Sequence, residues 1–265
     1  MKAAWIVALM ALWSSMVSAQ GFGLFSMESI EEGRSWEAVG RLEIAGEAFC
    51  TGALIAPKLV LTAAHCLYDP KTKERVPIKD IQFLAGWRNG RAAAYRYVRN
   101  AVHLPAYEYS AKPGPDRVRN DIALLELQHP IRNTTIVPFE TDTQPDNGAD
   151  IGVVSYTHDR SEAPSLQETC NILAREQGVL VMSCEVDFGS SGSPVFSFAS
   201  GAPRIVSIVS GKAKVEGQQV SLGTQLLDPL TQLRAMIAEA SPFRNIADTS
   251  SQSARDGTGA KFIKP

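Results

Sequence analysis

Three short segments of the sequence each contain one residue type that nucleophilic catalysis by a serine requires. They read LTAAHC at residues 61–66, NDIALL at 120–125 and GSSGSP at 189–194. A serine hydroxyl is a weak nucleophile at neutral pH, so it needs an imidazole to take its proton and a carboxylate to orient that imidazole. The segments therefore predict a triad in which His65 is the general base, Asp121 its orienting acid and Ser191 the nucleophile.

The residues around Ser191 predict how negative charge is stabilised during the reaction. Gly189 and Gly192 permit a tight backbone that points a hydroxyl outward. The backbone amides of Gly189 and Ser191 then converge on the developing oxyanion, and each such donor contributes about 3–4 kcal/mol in the transition state. We expect these two amides to form the oxyanion hole.

Asp121 and His65 each have a structural alternative. Asp121 precedes a strongly apolar segment, where an unpaired carboxylate is costly to bury, and His65 is its simplest partner. The alternative for Asp121 is a turn residue that caps the strand. An isolated histidine is more often a surface or core group, and this is the interpretation we give to His103, His129 and His158.

The chain order of the three residues selects a fold as well as a reaction. Catalytic residues in the order His, Asp, Ser belong to the chymotrypsin fold, whereas other folds use different orders. The segments resemble the active-site motifs of the trypsin-like serine peptidases, and the resemblance covers about residues 36–238. It implies an all-β protein of two six-stranded antiparallel β-barrels, with the catalytic cleft between them and a short C-terminal helix. No cofactor or metal is expected, because the sequence has no zinc-ligand spacing and no acidic calcium-loop pattern.

The resemblance also assigns substrate contacts. Ser210 and Gly211 should pair with the backbone of the substrate, and the primary pocket should lie between their strand and residues 185–188. Asp187 could receive a basic substrate side chain or make a structural hydrogen bond, whereas Lys212 could favour an acidic one. The preferred residue therefore stays open.

Two departures from the family pattern concern activation. Most animal members have an aspartate immediately before the nucleophile, which pairs with a newly cut N-terminus, and this chain has Ser190 there. The chain also lacks an Ile-Val-Gly-Gly start. It is more similar to bacterial exported, glutamyl-endopeptidase-like members, in which activation does not use that salt bridge.

The domain organisation follows from apolar patterning. Short apolar runs broken by Gly, Pro, Asn and Asp predict strands through most of the chain, and residues 133–138 form the expected crossover between barrels. Near 229–239, apolar residues at helical spacing follow Asp228 as a possible cap. The expected divisions are 1–19 signal peptide, 20–35 N-terminal extension, 36–132 first barrel, 133–240 second barrel with the helix, and 241–265 flexible tail.

The first residues have the pattern of an export signal. Lys2 is followed by an apolar run over 3–13 and by the small-residue site Val-Ser-Ala at 17–19, which predicts cleavage before Gln20. The alternative is an uncleaved amphipathic anchor. The run is too short to span a membrane, which takes about 20 residues. A secreted or periplasmic protein without a membrane span is expected.

Composition and cysteine spacing limit partners and ligands. The formal net charge is −2 and the basic residues are scattered, so no nucleic-acid partner is expected. Four cysteines in an exported chain predict two disulfides, Cys50 with Cys66 and Cys170 with Cys184, each closing a short loop. No group of His, Cys and carboxylates has zinc spacing.

The sequence thus predicts a monomeric serine endopeptidase acting on protein or peptide substrates. One rival is a catalytically silent binding protein of the same fold, against which retention of all three triad residues argues. A second rival is an esterase of the α/β-hydrolase fold, which the residue order and the missing helices exclude.

Overall fold

Antiparallel strands account for most of the secondary structure in residues 25–240, the part of the chain that the computed structural model describes. The predicted signal peptide and the predicted flexible tail lie outside these residues. The described chain begins with β1 (Phe25–Ser26), followed by the one-turn helix α1 (Ile30–Gly33). Among the described helices, none is long and apolar enough to cross a membrane.

Six strands close into the first barrel, in the order β2-β3-β4-β7-β6-β5. They are β2 (Val39–Ile44), β3 (Ala48–Ala56), β4 (Leu59–Thr62), β5 (Ile81–Ala85), β6 (Ala94–His103) and β7 (Ala123–Leu127). Inward-facing Leu42, Leu54, Phe83 and Leu124 are fully buried, so the barrel encloses a packed apolar core. Between β6 and β7 the chain forms the short helix α2 (Pro115–Arg119).

Six further strands form the second barrel, closed by pairing between β8 and β9, and β1 adds to it along β9. They are β8 (Asp150–Thr157), β9 (Arg160–Glu176), β10 (Val179–Met182), β11 (Pro194–Ser197), β12 (Arg204–Val215) and β13 (Gln218–Gln225). The fold is therefore the predicted pair of six-stranded antiparallel barrels. Short apolar runs that predicted strands, such as those at 59–61, 81–85 and 122–127, lie within or overlap these strands.

The chain passes from one barrel to the other next to an aromatic cluster. The Phe139 amide donates to the Leu54 carbonyl of β3 in the first barrel. The carbonyl of the following residue, Glu140, accepts from the Ile205 amide of β12 in the second barrel. Trp36, Phe139 and Phe196 pack with ring centroids 4.8–5.8 Å apart. Apolar packing at this point holds the two barrels together.

The C-terminal helix starts slightly earlier than predicted and packs on the first barrel. Helix α3 (Leu227–Glu239) begins before Asp228, which lies in the first turn and makes no capping hydrogen bond. Leu230, Leu233 and Ile237 are buried as the spacing predicts. They pack the helix against β6 and β7 of the first barrel, although the helix follows the second barrel in sequence.

Both disulfides in the structure join cysteines that the sequence paired. Cys50 on β3 is bonded to Cys66, and Cys170 on β9 is bonded to Cys184 after β10. The first bond joins the strand before Thr51 to the turn that holds His65. The second bond fixes the start of the segment that leads to Ser191.

Candidate active site

The first barrel brings His65 and Asp121 together by pairing β4 with β7. Thr62 at the end of β4 is paired with Ala123 at the start of β7. His65 lies in a 3₁₀ turn directly after β4, and Asp121 directly precedes β7. The His65 ring Nδ1 lies 2.7 Å from Asp121 Oδ2, and the His65 backbone amide donates to Oδ1 at 2.8 Å. Two contacts therefore fix the imidazole relative to the carboxylate.

The second barrel supplies a third contact to this carboxylate. The Ser210 hydroxyl of β12 donates to Asp121 Oδ2, and the Asp121 side chain is only 4% exposed. Burial alone raises the pKa of Asp121, but the charge of His65 and the hydrogen bonds from His65 and Ser210 lower it below the ordinary carboxyl value. Asp121 is thus held ionised in a buried position, which suits an acid that orients an imidazole.

The loop that contains Ser191 is bound to the strands that lead to His65. The Thr51 amide donates to the Ser191 carbonyl at 2.8 Å, and the Gly192 amide donates to the Val209 carbonyl at 2.7 Å. Gly192 has φ +76°, and a Cβ there would lie 2.1 Å from Thr62 Oγ1. The nucleophile loop therefore packs directly on the end of β4, beside the His65 turn.

Among residues 25–240, the hydrogen bond of the His65 ring runs to Asp121, and none joins the ring to the Ser191 hydroxyl. Ser191 is partly exposed, as a nucleophile must be to reach a substrate. Hydrogen bonds of this kind often tighten only when a substrate is bound.

The peptide bond between Phe188 and Gly189 is oriented by the second barrel. Its carbonyl oxygen, on Phe188, accepts from the His158 amide at 2.8 Å. In a planar trans peptide the N–H points opposite to the carbonyl, so the Gly189 amide faces away from His158. Within the described residues, neither this amide nor that of Ser191 donates to another group. Both are available to a ligand oxygen.

Gly189 itself is confined by both barrels. It has φ +97°, a conformation that favours glycine, and a Cβ there would lie 2.5 Å from the Phe49 ring. Its carbonyl accepts from the Thr51 hydroxyl at 2.9 Å. The sequence analysis did not single out Thr51, which carries no local motif, and it interpreted His158 as a surface or core group; His158 contributes here through its backbone amide.

Asp187 and Lys212 meet across the segment before the nucleophile. Lys212 Nζ lies 2.8 Å from Asp187 Oδ1 and 5.0 Å from the centroid of the exposed Phe188 ring. The hydrogen bond from Lys212 lowers the pKa of Asp187. The two charged side chains considered as determinants of the preferred substrate residue therefore pair with each other in this structure.

Ser190, which replaces the aspartate of animal family members, is buried and bonded locally. Its amide donates to the Asp187 carbonyl at 2.9 Å, and its hydroxyl accepts from the Asp187 amide at 3.3 Å. The turn that precedes Ser191 is thus closed by its own residues, without a charge in the position of the missing aspartate.

One group of potential metal ligands occurs in the described chain, and it coincides with this site. It consists of Cys50, His65 and Cys66. Both sulfurs are consumed by the Cys50–Cys66 disulfide, so neither is a thiolate that could bind a metal ion.

Comparison with known proteins agrees with this geometry. The profile of the family described as Trypsin matches residues 29–225. The chain belongs to the trypsin family.

Its relatives include bacterial and animal proteins. A glutamyl endopeptidase of Bacillus licheniformis is 28% identical over 153 residues, covering 57% of this chain and 46% of that protein. Human serine protease 23 is 28% identical over 163 residues, covering 56% and 42%. The chain thus matches less than half the length of these two relatives. Rat granzyme M is 28% identical over 234 residues, covering 80% of this chain and 83% of the relative.

A solved structure with the same fold is that of a Glu endopeptidase in complex with MPD. It superposes with a TM-score of 0.67 at 16% sequence identity, and the match covers 83% of this chain and 97% of the other. This likeness supports the two-barrel fold.

Proposed function

We propose that this protein is an exported serine endopeptidase that hydrolyses peptide bonds through an acyl-enzyme. His65 takes the proton of the Ser191 hydroxyl as that oxygen attacks the substrate carbonyl carbon, and it later gives the proton to the leaving amine. Asp121 holds the imidazole in the tautomer that can accept at Nε2. Water then hydrolyses the ester by the same route, with His65 again as base.

The observation that carries the proposal is the buried Asp121 carboxylate, held by His65 from one barrel and Ser210 from the other. A buried charge is destabilising unless it is paired. Here the carboxylate is paired with the imidazole that a serine nucleophile requires, as expected for a catalytic triad. The free amides of Gly189 and Ser191 supply the oxyanion hole that the nucleophile requires.

Export is supported by the predicted signal at residues 1–19 and by the two disulfides, which form and persist in oxidising compartments. We propose a secreted or periplasmic location. Expression of the full chain should yield a product whose N-terminus is Gln20 outside the cytoplasm. A product that retains residues 1–19 in the membrane fraction would indicate an uncleaved anchor.

The hydrolytic proposal is tested on an unstructured protein substrate. The purified protein should cleave it, and Ser191→Ala should abolish cleavage without changing the unfolding temperature. Ser200→Ala is the matched control, because Ser200 is an exposed loop serine away from the site, and it should cleave normally. Equal cleavage by Ser191→Ala would contradict the proposal, and a wild-type protein without cleavage would favour the silent binding protein.

A further inference from the structure

Arg41 is a charged residue of β2 whose side chain lies between the two barrels. Its neighbour Leu42 points into the core of the first barrel, so Arg41 points outward. The Arg41 side chain is only 16% exposed, and its Nη1 donates to the Ser161 carbonyl of β9 at 3.2 Å. Its Nε lies 2.6 Å from Glu43 Oε1. The proposed catalytic steps do not use this well-covered cation.

Two aromatic rings lie against the Arg41 guanidinium. Its carbon Cζ lies 4.2 Å from the centroid of the Phe49 ring and 5.6 Å from that of the Trp87 ring. Both distances are within the range of a cation–π contact, which is stronger where water is excluded. Trp87 is itself fixed, because its Nε1 donates to the same Ser161 carbonyl at 3.1 Å. The Phe49 ring is therefore held by a cation that is anchored to both barrels.

The same Phe49 ring lies against Gly189 of the nucleophile loop. A Cβ added to Gly189 would lie 2.5 Å from Cε2 and 2.9 Å from Cζ of this ring. The ring edge is thus in direct contact with the backbone of Gly189. The Gly189 amide is one of the two donors of the proposed oxyanion hole, and such a donor stabilises charge only when it is held in the correct position. The position of this donor therefore depends on Phe49, and that of Phe49 on Arg41.

We propose that Arg41 is a positioning residue of the oxyanion hole and that it acts through Phe49 on the Gly189 amide. The cation keeps the ring packed against Gly189. Without the cation the partly exposed ring can turn away, and the Gly189 amide loses its fixed direction toward the developing oxyanion. The inference rests on the proposed function, to which it adds a residue that contacts neither the triad nor the nucleophile loop.

The first test compares an ester and a thionoester of one peptide, whose sequence is taken from a cleavage site located by mass spectrometry of a digested protein. The ester oxygen becomes the oxyanion that the two amides bind, whereas sulfur in that position is a weak acceptor and gains little from them. Arg41→Ala should lower kcat for the ester about 5- to 10-fold with little change in KM, as expected for partial loss of one donor. It should leave kcat for the thionoester within about 2-fold of the wild type.

Arg204→Ala is the matched control for the loss of a paired arginine. Arg204 also makes a close ion pair, because its Nη2 lies 2.6 Å from Glu140 Oε2. In the described part of the chain, the arginines that lie over aromatic rings are Arg41 and Arg117, and Arg204 is not among them. Arg204→Ala should therefore hydrolyse both substrates with the wild-type kcat.

The second test determines whether Arg41 acts through Phe49. Phe49→Leu removes the ring, so adding Arg41→Ala to that variant should lower kcat for the ester by less than about 2-fold. Arg41→Lys keeps a cation for the ring and should recover most of the kcat that Arg41→Ala loses. Titration of the active sites with a fluorophosphonate corrects kcat for any unfolded fraction of each variant.

The outcomes separate this inference from the proposed function. An unchanged kcat in Arg41→Ala, or equal losses with the ester and the thionoester, would show that Arg41 supports the fold and not the oxyanion hole. Additive losses in the double variant, or a lysine variant as slow as the alanine one, would show that the cation on Phe49 does not position Gly189. Each of these results leaves the wild-type peptidase intact. If the wild type hydrolyses neither the ester nor the parent protein, the proposed function itself is wrong.

Discussion

The hydroxyl of Thr51 donates a 2.9 Å hydrogen bond to the carbonyl oxygen of Gly189, from β3 of the first barrel to the nucleophile loop of the second. The hydroxyl oxygen of Thr51 also accepts a hydrogen bond from the Tyr156 amide at 3.0 Å. The Thr51 amide also donates to the Ser191 carbonyl. Thr51 is thus a positioning residue, because it fixes the loop whose amides are proposed to stabilise the oxyanion.

Thr51→Val should lower kcat about 10-fold with little change in KM, because the amides of the hole are displaced while substrate contacts remain. It should also cost about 1–3 kcal/mol of stability, since the buried Tyr156 amide loses its acceptor. Thr51→Ser keeps the hydroxyl and should restore kcat. Steady-state kinetics and denaturant unfolding of the three proteins check this. A Val variant with unchanged kcat despite the lost stability would show that Thr51 acts only on the fold.

Asp121→Asn should reduce kcat about 10⁴-fold, because an amide favours the wrong tautomer of His65. Combined with Ser191→Ala, the loss should be far from additive. Hydrolysis of one optimised peptide by the single and double variants measures this. Near-normal turnover by Asp121→Asn would mean that another carboxylate orients the imidazole.

The pH dependence of stability should reveal the lowered pKa of Asp121. A carboxyl whose pKa is lower in the folded state contributes stability that is fully present above its ordinary pKa of about 4 and is lost as pH falls through the folded value. Unfolding temperatures measured from about pH 5 down to about pH 2 should therefore fall less steeply for Asp121→Asn than for the wild type. Asp187→Asn is the comparison, because its ion pair is exposed and contributes little, so its curve should flatten much less than that of Asp121→Asn.

Gly192 should be far less tolerant of alanine than Gly201. Both have positive φ, +76° and +83°. A Cβ at Gly192 would lie within 2.4 Å of atoms of Thr62 and Thr51, whereas a Cβ at Gly201 would have no other heavy atom within 4 Å. Gly201→Ala should cost about 1 kcal/mol from backbone strain. Gly192→Ala adds the clash and should cost about 2–4 kcal/mol with loss of activity. Equal unfolding free energies for the two variants would contradict the packing of the nucleophile loop on β4.

Activity should not require a new N-terminus between residues 20 and 36. β1 pairs with β9, Met27 is buried, and Arg34 lies in the same 3₁₀ turn as the buried Trp36, so residues 25–36 are part of the fold. A protein that begins at Gln20 should cleave substrate as purified, with intact mass showing an uncut chain. Activity gained only after cleavage near Arg34 would mean that residues 20–34 are a propeptide.

The sequence predicted the fold where burial leaves a local signal. Apolar runs located strands such as β4, β5 and β7, whose residues are almost all buried. β9 gave no such run, because even its consecutive buried residues 163–167 include Pro, Ser and Gln, and many other residues of Arg160–Glu176 are polar. The site was predicted only as far as motifs reach. Thr51 and His158 act through partners elsewhere in the chain, and nothing in their own neighbourhoods marks them.

The docking of α3 shows the same limit. Its buried face was predicted from the spacing of Leu230, Leu233 and Ile237, but the spacing does not say which surface receives it. That surface lies on β6 and β7, more than 100 positions earlier in the chain.

The most direct test of the central claim is the site of covalent labelling by a fluorophosphonate, which reacts with an activated serine without requiring a known substrate. Peptide mapping by mass spectrometry should place one adduct on Ser191, absent from Ser191→Ala and strongly reduced in His65→Ala. An adduct on another serine, or a folded wild-type protein that takes up no label, would contradict the assignment of Ser191 as a nucleophile activated by His65.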